Sequence, residues 1–214
     1  MGRSSCGIEA GAYKVTDHIT VKEYGMESSS MQLDGTNVIL RDPVEEDLAD
    51  HIEWNTRQIE WKEWDAPWKQ GAFDEERLRN KQEGYLERAK HSGNLRFHWE
   101  IDAKIENCWT HIGWMNVYCI DKRYQPVDES RDLAFGIDIP NPEARGKGFG
   151  LEAVKLLISY YVANGYREMY TQTWSGNKRM IALAKKAGFL LVKRTPDIYR
   201  KDGISYEQLT FVSE

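Results

Sequence analysis

The sequence predicts an α+β sandwich, a mixed central sheet with helices on both sides. Three observations predict it. Residues 133–139 (Leu-Ala-Phe-Gly-Ile-Asp-Ile) alternate large apolar side chains with small or polar ones, the period-two pattern of a strand with one buried face. Leu151, Val154, Leu157, Ile158, Tyr161 and Val162 then recur at helical spacing, so a helix of about four turns begins near Gly148. Strand-like runs at 97–101 and 111–118 precede this pair, and two more at 190–193 and 205–212 follow it.

In chain order, residues 1–36 are polar and weakly periodic and form an N-terminal extension, in which 13–21 can add one strand. The domain proper is read as 37–214. It opens with a strand at 38–41, stopped by Asp42-Pro43; Pro43 suits the first turn of a helix running through Asp47, Leu48, Ile52 and Trp54. Asp74 caps a second helix reaching Lys90, with Leu78, Tyr85, Leu86 and Ala89 on its core side. The strands at 97–101 and 111–118 pair antiparallel through Glu106-Asn107, and Gly113 marks a close backbone approach or a bulge. A polar loop fills 121–130. After the glycine-rich helix comes a strand at 168–173. A helix then opens at Asn177, buries Met180, Ile181, Leu183 and Ala184, and stops at Gly188. The last two strands flank a turn at 201–203.

Composition narrows the function classes. With 41% hydrophobic and 29% charged residues in 214, the chain is an ordinary globular protein with ample length for a core. No apolar run approaches the roughly 18 residues of a membrane span, and no signal-peptide core stands at the N-terminus. A formal charge of −5 argues against a nucleic-acid surface. Cys6, Cys108 and Cys119 lack C-x-x-C spacing, which suits a reducing, cytoplasmic location and buried apolar roles for the thiols. The five histidines lack paired-ligand spacing, so no metal site is expected.

The stretch 138–153 looks built for phosphate. Gly146, Gly148 and Gly150 permit positive φ and keep Cβ atoms away, so backbone N–H groups can converge on an anion at a helix start. Arg145 and Lys147 add full charges. No glycine is followed by Lys and then Ser or Thr, which excludes a nucleotide-triphosphate P-loop. A dinucleotide fingerprint needs G-x-G-x-x-G near the first strand, whereas G-x-G-x-G stands here late in the chain. What remains is Arg-x-x-Gly-x-Gly, with Arg145, Gly148 and Gly150 in place. Lys178, Arg179, Lys185 and Lys186 extend the local positive charge, either as a solvated helix face or toward the same anion.

That pattern resembles the acetyl-coenzyme A pyrophosphate loop of the GNAT N-acetyltransferase superfamily, including its ribosomal-protein and polyamine acetyltransferase branches. Asn177 at a helix start, followed by Lys186-Ala187-Gly188-Phe189 at its end, is similar to the family's second signature. The resemblance covers about 38–211 and implies a mostly antiparallel central sheet with helices on both faces. It also implies acetyl-coenzyme A as donor, held by Arg145, Gly146, Lys147, Gly148, Phe149 and Gly150. Backbone roles fall to Ile137 and Ile139, and Asn177 and Arg179 face the pantetheine and ribose phosphate. The reaction implied is direct attack by a primary amine in a ternary complex; a non-catalytic acyl-coenzyme A sensor or scaffold and a protein-interaction module are the alternatives.

An acceptor amine needs aromatic faces and negative charge, and half of the chain's eight tryptophans lie in 54–68 beside carboxylates. Trp61, Glu63 and Trp64 are therefore acceptor candidates. Strand alternation puts Asp132, Ala134, Gly136 and Asp138 on one face, with small residues leaving room for a ligand between two carboxylates. Asp132 lies where several family members carry a catalytic Glu and is the candidate base, with Asp138 toward the acceptor. Ala184 replaces the Tyr that many members use to protonate the thiolate, which leaves either Tyr199 or Tyr206 for that task or an unaided departure. The acceptor itself, whether protein N-terminus, polyamine or amine-bearing antibiotic, and the oligomeric state, a homodimer among the options, are not written in the sequence.

Overall fold

The computed structural model describes residues 13–14, 20–23, 30–91, 93 and 95–214. Its elements are β1 (Tyr13–Lys14), β2 (Thr20–Glu23), β3 (Met31–Asp34), β4 (Val38–Arg41), α1 (Asp47–Thr56), α2 (Glu75–Ala89), β5 (His98–Ile105), β6 (Cys108–Ile120), β7 (Pro126–Val127), β8 (Asp132–Asp138), α3 (Phe149–Ala163), β9 (Met169–Trp174), α4 (Lys178–Lys186), β10 (Leu190–Lys201) and β11 (Ile204–Val212). Among the described residues the strands form one sheet in the order β1-β2-β3-β4-β5-β6-β8-β9-β11-β10, with β7 beside β6. Every pairing is antiparallel except β8 with β9.

Several elements differ from expectation. Residues 13–21 contribute to two short paired strands instead of one, and 15–19 lie outside the described residues. β3 lies within the stretch read as an extension and buries Leu33 completely, so the sheet begins before residue 37. Pro43 precedes α1, whose first turn is fixed instead by Asp47, its Oδ2 accepting from the Val44 N–H at 2.8 Å. Both long hairpins run further than their alternation suggested. Each closes on a two-residue turn with positive φ at both positions, Glu106-Asn107 (49°, 67°) and Asp202-Gly203 (52°, 76°), the geometry that matches strand twist.

Alternation on β5 sorts the helices. Trp99, Ile101, Ala103 and Ile105 point into the main core, where the Trp99 ring meets Tyr160 of α3 edge-on at 5.0 Å. Met180 and Ala184 of α4 join the same core. His98, Glu100 and Asp102 face the other way, toward α1 and α2. The Tyr85 ring of α2 stacks on His98 at 3.7 Å. Arg41 on β4 bridges Asp47 and Asp102, both at 2.7 Å. On the α3 side, Arg96 and Asp42 form an ion pair at 2.8 Å with 5% and 4% exposure, a desolvated contact that removing either partner would leave uncompensated.

The sequence-scattered histidines converge. Glu100, fully buried, is hydrogen-bonded by His51 (3.0 Å) and His98 (2.8 Å) through one oxygen and by His111 (3.0 Å) through the other. His111 also meets Asp50 through Nδ1 at 2.8 Å, with Asp47 at 3.5 Å. Ligand atoms of His51, Glu100 and His111 lie within 4.8 Å of one another, a grouping that the spacing along the chain gave no reason to expect. Burial alone would lower the His111 pKa, but hydrogen bonds to Asp50 and Glu100 outweigh it and hold it at about 9. A cation entering the cluster would first have to displace that proton. Burial alone would raise Glu100, and the three imidazoles instead hold it well below the usual carboxylate range.

The two shifts predict opposite edges of a stability plateau. His111 contributes fully below its ordinary value of 6.5, and that contribution is lost as pH rises through about 9. Glu100 contributes above its ordinary value of 4.5, and that contribution is lost as pH falls through its depressed pKa. Urea denaturation should therefore show stability falling by roughly 2–3 kcal/mol between pH 6.5 and 9.5. The His111→Gln protein should be less stable at pH 6 and flat across that range.

Candidate active site

The site is organised by a parting of strands. β8 and β9 pair in register at Leu133↔Met169, Ala134↔Tyr170 and Phe135↔Thr171 and then separate, although β8 continues to Asp138 and β9 to Trp174. The last tie is the Thr171 hydroxyl, donating to the Phe135 carbonyl at 2.9 Å. Outer neighbours hold the gap open: β6 keeps β8 through Asp138↔Trp114, and β11 keeps β9 through Trp174↔Gln208. β6 carries a bulge where Gly113 faces Ile101 and His111 faces Asp102, leaving Ile112 as the extra residue. A Cβ on Gly113 would collide with the Asp138 carbonyl oxygen, so glycine is required there by close approach.

Below the gap, the chain turns through a short 3-10 segment, Pro142–Ala144, and reaches α3. Gly146 and Gly148 take φ of 75° and 91°, and a Cβ at either would meet nothing within 4 Å, so conformation and not space selects glycine. Among the described residues, no acceptor meets the backbone N–H groups of Gly146, Lys147, Gly148, Phe149 or Gly150. Five unpaired donors at a helix start are an arrangement that can receive an anion. Gly150 serves packing: its Cβ position lies 3.3 Å from Ile139 Cδ1 and 3.6 Å from Leu183 Cδ2, which seats α3 against β8 and α4.

A cavity of about 1110 Å³ joins the gap and the loop. Gly136 faces open space there, with nothing within 4 Å of its Cβ position. Asp138 opens onto the cavity from the end of β8; burial raises its pKa well above the ordinary value, and the negative charge of Asp65 adds to the rise. Asp65 is itself raised by burial, partly offset by Lys69, Gln70 and Lys81. Tyr118 shares the cavity, with burial and the Asp65 charge pushing its phenol up to about 12. Trp61, Trp64 and Trp68 line the opposite wall.

The structure brings most of the sequence-nominated residues together and leaves others apart. Ile137, Ile139, Arg145, Gly146, Gly148, Phe149, Gly150, Asn177 and Arg179 line the cavity with Asp138, Trp61 and Trp64. Arg145 donates to the carbonyls of Ile139 (3.0 Å) and Pro140 (2.6 Å), bracing the turn after β8. Lys147 is exposed on the loop, and Glu63 is exposed and outside the cavity lining. Asp132 stands at the start of β8, three residues before the strands part, bonded to Lys122 at 2.5 Å and also outside the lining. Trp61 is mainly a core residue, its Nε1 on the Trp54 carbonyl at 2.8 Å and its ring edge-on to Trp114. Tyr199 and Tyr206 stack together at 5.8 Å behind the lining, Tyr199 on Trp68 at 4.8 Å and Tyr206 edge-on to Trp174 at 4.9 Å, without lining the cavity themselves. Cys119 is partly buried against the core as expected of an apolar thiol, whereas Cys108 is exposed at the hairpin start, where the chain turns away from the core. Asp65 and Tyr118 were not singled out in sequence; alternation on β6, which puts Tyr118 on the face of Trp114, was the available signal for one of them.

Parted strands, unpaired loop amides and the half-buried Asp138 carboxylate thus surround one cavity. The chain belongs to the GNAT acetyltransferase domain family, whose model matches residues 37–190. Solved structures share the fold: a GNAT-family acetyltransferase from Bacillus anthracis (TM-score 0.64, 14% identity, covering 85% of this chain and 97% of that one) is one. The Microcin C7 self immunity acetyltransferase MccE, in complex with acetyl-CoA and AMP, is another (0.63, 18%, 84% and 93%). A third is RimL, a ribosomal L7/L12 alpha-N-protein acetyltransferase (0.62, 13%, 94% and 98%). No curated protein matches in sequence. No helix among the described residues is long and apolar enough to cross a membrane.

Two glycine substitutions separate the loop from the gap. Gly136→Leu projects into open cavity, so the melting temperature should stay within about 3 °C while turnover is lost. Gly148→Ala places a Cβ on positive φ, which should lower stability by roughly 1–2 kcal/mol and weaken coenzyme A binding about tenfold. Thermal melts beside calorimetric titrations check both.

Proposed function

We propose that the chain transfers an acetyl group from acetyl-coenzyme A to a primary amine by direct attack in a ternary complex. The observation that carries this reading is that the free loop amides and the Asp138 carboxylate open onto one cavity. Acetyl-coenzyme A, when bound, supplies the activated acyl carbon. Gly146 to Gly150 hold its diphosphate through backbone N–H groups, with Lys147 and Arg179 adding charge. The backbone N–H groups of Ile137 and Ile139, past the last β9 partner, face the gap to receive the pantetheine arm and the acetyl oxygen, the Ile139 carbonyl being held by Arg145.

Asp138 serves as the base in this reading, in preference to Asp132, because it faces the cavity and Asp132 is held by Lys122. Its raised pKa makes it a stronger acceptor than an ordinary carboxylate for the proton that the acceptor ammonium must lose before its neutral nitrogen attacks the thioester carbonyl. Asp65 and Trp68 suit the positive charge of an arriving amine, the Trp64 ring already carrying the Arg179 guanidinium at 4.1 Å. Tyr118 stays a neutral hydrogen-bond donor over the working pH range, the form that stabilises a departing thiolate. The RimL likeness keeps a protein N-terminus among the acceptors, beside small-molecule amines.

Ala184, 1% exposed, leaves no hydroxyl on the inner face of α4, which favours the alternative of a domain that binds acyl-coenzyme A without turnover. Release of free thiol from acetyl-coenzyme A with a panel of amines and peptides separates the two: acceptor-dependent release supports the enzyme, and binding without release supports the sensor.

With an acceptor in hand, Asp138→Asn should reduce kcat/KM by about 10²–10⁴ while leaving coenzyme A affinity unchanged. The wild-type rate should rise with pH through the raised Asp138 pKa, because only the deprotonated form accepts a proton. Asp65→Asn removes a negative neighbour, so that rising limb should move to lower pH. A pH profile unaltered by either change would exclude Asp138 as the base.

A further inference from the structure

The connection between α1 and α2 lies as a strap over the mouth of the donor groove, and the role inferred for it rests on the proposal that this groove takes coenzyme A. The strap is fastened to residues of both glycine-loop and Asn177 motifs. The Trp64 carbonyl accepts from Trp174 Nε1 at 2.8 Å and from Asn177 Nδ2 at 2.9 Å. Asn177 Oδ1 meanwhile caps α4 by accepting the Met180 N–H at 2.9 Å. The Glu60 carboxylate accepts from Trp64 Nε1 at 2.8 Å, pairs with Arg179 at 3.2 Å and pairs with Arg145 as well. The Arg179 guanidinium lies over the Trp64 ring at 4.1 Å.

Two guanidinium groups, one from each motif, thus converge on a single carboxylate beside five unpaired loop amides. That is the electrostatic arrangement a diphosphate would meet, with Glu60 already holding the arginines. Glu60 is 46% exposed and Arg179 51%, so water screens the pair and it can open readily. Trp61, the neighbouring residue, is tied to α1 by its own hydrogen bond, so opening is confined to the Glu60 side chain and the strap beyond it.

We infer that Glu60 is a stand-in anion that holds Arg145 and Arg179 until the donor's diphosphate takes them over, so that donor binding and the fastening of the acceptor wall oppose each other. Glu60 is then a positioning residue that sets donor selectivity. A ligand without strong negative charge cannot displace it.

The test compares the full-length wild type with Glu60→Gln and with Glu143→Gln, an exposed carboxylate near the loop that serves as a charge control. Coenzyme A is titrated by calorimetry, and hydrogen exchange of residues 59–69 is followed in the free proteins. Glu60→Gln should bind coenzyme A about tenfold more tightly and exchange faster in the strap, while Glu143→Gln matches the wild type in both. Equal or weaker affinity in Glu60→Gln, equal tightening in Glu143→Gln, or unchanged strap exchange would overturn the inference. Absence of heat in all three proteins would instead remove the coenzyme A reading, with the exchange comparison still deciding whether Glu60 fastens the strap.

Discussion

The constraint on which the molecule depends is the loss of pairing between β8 and β9 after Phe135 and Thr171. A sheet that simply continued would satisfy its own backbone groups and leave no place for a ligand. Parting the strands exposes main-chain polar groups at Ile137 and Ile139, and this is tolerable because the gap opens into a cavity and not into packed core. The neighbouring features all serve to keep that gap open. The bulge at Ile112 lets Gly113 pass against the Asp138 carbonyl, β11 continues with β9 on the far side, and Gly148, Phe149 and Gly150 at the start of α3 line the same cavity.

Electrostatics divides the molecule into settled and unsettled regions. Glu100 and its histidines, Asp42 with Arg96, and Arg41 with two aspartates are buried charges matched by partners, and they lock α1 and the first hairpin onto the sheet. Asp138 and Asp65 are the opposite case, carboxylates whose environment disfavours their own charge. Both carboxylates line the same cavity. The contrast is physical: the first group meets donors at hydrogen-bond distance, whereas Asp138 meets chiefly desolvation and a like charge.

The tryptophan-rich strap connects the two halves of the site. Its tryptophans divide the labour, Trp61 anchoring to α1 while the Trp64 carbonyl holds Trp174 and Asn177. A segment rich in aromatic rings can do this because each ring supplies broad apolar contact together with an N–H at its edge. The strap and the cavity wall at Trp174 and Asn177 therefore share hydrogen bonds and are not independent structures.

The α+β class, the strand before the glycine loop, the helix after it and the Asn177 cap were legible in the sequence because each rests on local chemistry: alternation, helical spacing, positive φ and a capping side chain. So was the run of unpaired loop amides, since glycine spacing at a helix start fixes where N–H groups point. The placement of residues distant in sequence was not legible. Asp132 and Asp138 are equivalent by alternation, and only Lys122 at one end and the strand gap at the other distinguish them. His51, His98 and His111 become a cluster only when α1, β5 and β6 stack, and Glu60 meets Arg145 and Arg179 only after 85 residues of separation from the first are folded away. Local conformation is encoded by neighbours along the chain, whereas partnership between charges depends on which surfaces the core brings together.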